Sequence, residues 1–62
     1  MDKITMRSAR VNAGLTQEKM ASILGKSANT IIDWEKGRKF PRVDEFEAYC
    51  KACGIEPEAV RC

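Results

Sequence analysis

Residues 15–37 read LTQEKMASILGKSANTIIDWEKG, and this stretch decides the fold. Thr16 is a favoured N-cap, and Glu18 places negative charge in the first turn that follows, so a helix is expected over Gln17–Leu24. Met20, Ala21 and Leu24 share one face of it and form its apolar stripe. Gly25 can take the positive φ that a helix stop requires. Only Lys26 then separates it from Ser27, the next N-cap. A second helix is expected over Ala28–Lys36, with Ile31 and Trp34 turned inward and Gly37 ending it. Two short helices joined by Gly25-Lys26-Ser27 make a helix-turn-helix unit, whose turn is about three or four residues long and often contains glycine.

Working outward toward the N-terminus, Asp2 or Thr5 can cap a first helix running to about Ala13, and Gly14 stops it. Met6, Ala9, Arg10 and Ala13 define one face of this helix. An arginine on an apolar stripe needs a partner, because a lone buried charge costs several kcal/mol. Toward the C-terminus, Arg38-Lys39-Phe40-Pro41 is a basic loop. A fourth helix is expected over Val43–Cys53, with Phe46, Tyr49, Cys50 and Cys53 inward and Gly54 as its stop. Ile55 is the expected core plug, and Pro57 opens a short fifth helix running to the terminus. The expectation is an all-α fold of five short helices, one domain over residues 1–62, with the helix-turn-helix at the second and third.

Composition agrees. The chain has 62 residues, 44% hydrophobic and 32% charged, the balance of a globular domain. A chain this size buries about 60% of its unfolded surface and can fold without disulfides or metals. No apolar run approaches the roughly 20 residues of a membrane span, and the N-terminus lacks a signal-peptide core, so a cytoplasmic location is expected. Residues 1–42 carry nine Lys/Arg and four Asp/Glu, whereas residues 43–62 carry two against five. Lys36, Arg38, Lys39 and Arg42 fall within seven residues. Such asymmetry implies one positive face suited to a polyanion.

Taken together, Arg10, Gly14-Leu15-Thr16-Gln17, Ala21, Leu24-Gly25, Ile31 and Trp34-Glu35-Lys36-Gly37 resemble the phage repressor and Cro-type (Xre-like) helix-turn-helix family at matching spacings, over about residues 4–60. The resemblance implies a lambda-repressor-like bundle that binds double-stranded DNA as a transcriptional regulator, repressor rather than activator. It places the third helix in the major groove. It further implies a largely buried salt bridge between Arg10 and Glu35, tying the first helix to the recognition helix. Physically each of these two charges requires the other. Ala21 stands where the second and third helices cross, and a larger side chain there would displace the third.

Anchoring by Ile31 and Trp34 leaves Ala28, Asn29, Ile32, Asp33 and Lys36 on the opposite side of the third helix. Asn29 leads as base reader, since a carboxamide pairs bidentately with adenine. Ala28 can pack on a thymine methyl, and Ile32 shares their surface. Asp33 can accept from a cytosine amino group, or can instead orient Lys36 or Arg38. Thr16 and Gln17 stand at a helix N-terminus, a natural site for a phosphate. The resemblance makes Gln17 a bridge between phosphate and recognition helix; the plainer alternative is a cap of its own helix. Ser27 and Thr30 can reach a phosphate, and Lys36, Arg38, Lys39 and Arg42 form a second phosphate clamp.

The chain has no histidine, and its hydroxyls and thiols have no recognisable base partner, so an enzyme is not expected. Cys50 and Cys53 stand where the family carries aliphatic residues. They are read as small buried hydrophobes rather than as a metal or redox pair, because i, i+3 on one helix without histidine suits zinc poorly. Cys62 is expected to be exposed. No cofactor, metal or small-molecule ligand is expected. A homodimer is expected to use the fourth and fifth helices, through Tyr49, Ile55 and Val60. The alternative function is an antitoxin or adaptor module acting through protein–protein contacts, which salt-sensitive retention on DNA distinguishes.

Overall fold

The hydroxyls of Thr5, Thr16 and Ser27 start three of the helices, each accepting from the backbone N–H three residues on: Ser8 and Lys19 at 3.0 Å and Thr30 at 3.3 Å. Each hydroxyl satisfies one of the donors that a helix N-terminus leaves unmatched. A computed structural model describes residues 3–61 of the chain. Its elements are β1 (Ile4–Thr5), α1 (Met6–Asn12), α2 (Gln17–Leu24), α3 (Ala28–Lys36), α4 (Val43–Cys53), a 3-10 turn (Pro57–Ala59) and β2 (Val60–Arg61). The helix-turn-helix is α2 and α3. Gly25 ends α2 in the left-handed region at φ 68°, and its N–H and that of Lys26 bond back to Ser22 and Ala21. A glycine takes this conformation without the clash a Cβ would introduce.

The core gathers two apolar side chains from each helix: Met6 and Ala9 from α1, Met20 and Ala21 from α2, Ile31 and Trp34 from α3, Tyr49 and Cys50 from α4. Leu24, Phe46, Cys53 and Ile55 are half-buried and pack against it. Val60 completes it from β2, only 3% exposed.

Two expectations are corrected. Ala13 is exposed, because it is the C-cap of α1 and has already left the buried face. A fifth α-helix does not form after Pro57. The chain makes one 3-10 turn and then becomes extended at Val60, where φ is −120° and ψ 135°. Val60 and Arg61 lie parallel to Ile4 and Thr5, which puts the Val60 side chain into the core. Three residues are too few to nucleate a helix, and a β-branched valine gains more from an extended backbone that buries it. The Asp2 cap and Cys62 lie outside the described residues. Among those described, no helix is long and apolar enough to cross a membrane.

Ala21, 4% exposed, is one of the two buried residues of α2, a helix that packs against both α3 and α4. Ala21→Leu is expected to lower stability by about 1–3 kcal/mol through overpacking, seen as a lower urea midpoint at unchanged slope.

Candidate nucleic-acid interface

Glu35 stands in the last turn of α3 with its side chain only 3% exposed. Its two oxygens accept four hydrogen bonds. From α1, Arg10 donates through Nε to Oε2 at 2.7 Å and through Nη2 to Oε1 at 3.3 Å. From α2, Gln17 Nε2 donates to Oε1 at 3.2 Å. From α4, the Tyr49 hydroxyl donates to Oε2 at 2.7 Å, and it also lies 2.9 Å from the Met6 carbonyl. Arg10 spends its remaining arm on the Leu15 carbonyl at 2.7 Å. Burial acts to raise the Glu35 pKa. The donors Arg10, Tyr49 and Gln17 outweigh it and hold the carboxyl below its ordinary value. The Tyr49 hydroxyl is pushed up, by burial first and then by the Glu35 carboxylate, and stays protonated as a donor.

This network and the two anchors Ile31 and Trp34 fix which way α3 faces. Asn29 and Lys36 are exposed on its outer side, and Ala28, Ile32 and Asp33 are half-buried. Ser27 and Thr30 are joined at 3.1 Å between hydroxyl oxygens as part of the N-cap. Thr16 caps α2, while Gln17 reaches across to Glu35 and brings the start of α2 beside the C-terminal end of α3. Gln17 therefore does contact the expected recognition helix. Asp33 faces the loop rather than its helix neighbour Lys36: its carboxylate lies 3.7 Å from Arg38 and 4.0 Å from Lys39. The N–H groups of Arg38 and Lys39 also bond to the Asp33 carbonyl, at 2.9 and 3.4 Å, folding the loop back onto α3. Arg38, Lys39 and Arg42 are all exposed.

The far end of the loop is pinned as well. The Arg42 N–H donates to Glu45 Oε1 at 2.8 Å, and Lys26 Nζ, in the turn between α2 and α3, lies 2.6 Å from Glu45 Oε2. Glu45 at the third position of α4 is the sequence signal for the first bond. No local signal announces the second.

Tyr49 and Val60, expected on a dimer surface, are instead buried, at 0% and 3% exposure. Helical periodicity places Tyr49 inward without saying what its hydroxyl meets. Cys50 is buried and Cys53 half-buried. Burial, and then neighbouring Cys50, push the Cys53 thiol up to about 11. It is therefore protonated at neutral pH, and the thiolate is the form that attacks or ligates.

The helix-turn-helix domain family matches residues 5–60. Over 50 residues, 81% of its length, the chain is 34% identical to the cryptic phage CTXphi transcriptional repressor RstR of Vibrio cholerae, and it covers 45% of that protein. No solved structure matches.

Because the folded-state pKa of Glu35 lies below its ordinary value of 4.5, its stabilisation is complete above that value and is lost as pH falls through the folded value. The urea midpoint is expected to decline below pH 4.5 more steeply in the native chain than in Glu35→Gln. At pH 7, Arg10→Met is expected to cost about 3–5 kcal/mol by stranding the carboxylate. Tyr49→Phe, which leaves Glu35 three donors, is expected to cost about 1.5–3 kcal/mol.

Proposed function

The chain belongs to the helix-turn-helix domain family, and from that premise we propose that it is a sequence-specific double-stranded DNA-binding transcription regulator, acting as a repressor. The observation that carries this reading is the division of α3 into two faces. Ile31, Trp34 and Glu35 hold it to the other helices, while Asn29 and its neighbours face outward beside a cationic loop. A short helix held by one face, with Asn29, Asp33 and Lys36 among the side chains of the other, is what the major groove admits.

In this reading Asn29 pairs with a base edge, with Ala28, Ile32 and Asp33 around it. Thr16 and Gln17, at the start of α2, take a phosphate on the helix dipole. Ser27 and Thr30 add hydroxyls there, and Lys36, Arg38, Lys39 and Arg42 hold the strand on the other side. The ion pairs Arg38–Asp33 and Arg42–Asp44 are long, at 3.7 and 3.8 Å, and their arginines are largely exposed, so these cations can exchange partners for phosphate at small cost. We further propose that two copies occupy a pseudo-palindromic site, with half-sites about 34–36 Å apart, and that the protein works in the cytoplasm. One half-site alone supplies few base contacts.

Selection from random duplexes is expected to enrich one symmetric site. If each copy neutralises four to six phosphates, log K is expected to fall against log salt with a slope of about −4 to −5 per copy. Asn29→Ala is expected to relax preference at one base pair by about 1–3 kcal/mol. Arg38→Ala is expected to weaken every sequence alike and reduce the slope by about 1. Binding that ignores salt and sequence would overturn the reading in favour of a protein-interaction module.

A further inference from the structure

Phe40 is 72% exposed and does not pack against the core. It stands between Arg38-Lys39 and Arg42, in a loop whose two ends are both held. One end bonds through Arg38 and Lys39 to the Asp33 carbonyl of α3. The other bonds through Arg42 to Glu45, which also meets Lys26. The loop thus presents an aromatic ring to solvent from a braced position, at the exit of the helix assigned to the groove.

Two kinds of partner can cover such a ring: a second copy of the chain, or DNA. Charge decides between them. Residues 36–42 hold four cations and no acidic residue. An isologous contact places the same patch of both subunits face to face. Even with Asp33 and Asp44, which pair with three of these cations, a contact centred on Phe40 would press two patches of net charge +2 together, whereas a polyanion draws the cations toward itself. The backbone of a nucleic acid alternates charged phosphates with apolar sugar faces, and cation–aromatic–cation order in this loop matches that alternation.

We propose that Phe40 is a DNA-contacting residue whose ring packs on the deoxyribose faces of the strand held by Arg38, Lys39 and Arg42. The inference rests on the DNA-binding reading above. Its contribution is affinity without charge and without base preference, which separates it from both Asn29 and Arg38. The contact covers only part of the ring, and losing it is expected to weaken binding about tenfold.

The test measures binding of the full chain by fluorescence anisotropy across a salt series. Two duplexes are used: the selected symmetric site, and that site cut to one half so that a single copy binds. Phe40→Ala is expected to lose about tenfold on both duplexes, with the native salt slope and an unchanged urea midpoint, and Phe40→Leu to recover most of the loss. A loss confined to the symmetric site would overturn the proposal and assign Phe40 to contact between copies. Native affinity of Phe40→Ala on both duplexes would also overturn it while leaving DNA binding in place. A native chain without salt-dependent binding to either duplex would remove the DNA reading itself, and the proposal with it.

Discussion

The carboxylate of Glu35 is the group on which all four helices converge. It belongs to α3 and receives hydrogen bonds from Arg10 of α1, Gln17 of α2 and Tyr49 of α4. A buried carboxylate without such donors would take up a proton or drive its helix out of the core. With four donors its oxygens are saturated and it stays charged. Apolar burial of Ile31 and Trp34 also holds α3, but it is non-directional. The Glu35 bonds supply direction, because they form only when α3 sits at one rotation and one depth. In a nine-residue helix, too short to be stable by itself, that constraint sets where the outer face points.

The contrast with the surface charges is physical. Arg10 and Glu35 are withdrawn from water, bidentate and further hydrogen-bonded, so their geometry is held tightly. Arg38, Lys39 and Arg42 make longer pairs with side chains that are 65%, 72% and 83% exposed, where solvent weakens the attraction. The same residue types therefore do opposite things: a buried pair builds the platform, and loosely paired cations remain available to an incoming anion. Hydrogen bonds from backbone N–H groups at both ends of the loop, to the Asp33 carbonyl and to the Glu45 carboxylate, hold the loop in place while the cationic side chains extend into solvent.

Much of this was legible in the chain. The bounds of α2, α3 and α4 follow from Thr16, Ser27, Gly25, Gly37 and Gly54, because a cap or a stop involves groups within about five residues. Arg10 on an apolar stripe demanded an acid, and resemblance to phage repressors named Glu35. The outward residues of α3 follow once Ile31 and Trp34 are set inward. Tyr49 was legible only as a core position; that its hydroxyl meets Glu35, fourteen residues earlier, depends on how α4 packs against α1 and α2. The Lys26–Glu45 pair and the turning of Asp33 toward Arg38 and Lys39 are likewise products of packing.

What the sequence determined by itself is the set of local decisions: where helices begin and stop, which stripe is apolar, and where cations cluster. Those depend on short-range hydrogen bonds and on periodicity. Tertiary structure alone decided the conformation after Pro57, where Val60 gave up a helix for parallel pairing with Ile4 and burial in the core. It also decided which groups surround Glu35. The reason is the same in both cases: the partner lies far along the chain, and the stabilisation appears only when the whole bundle has closed.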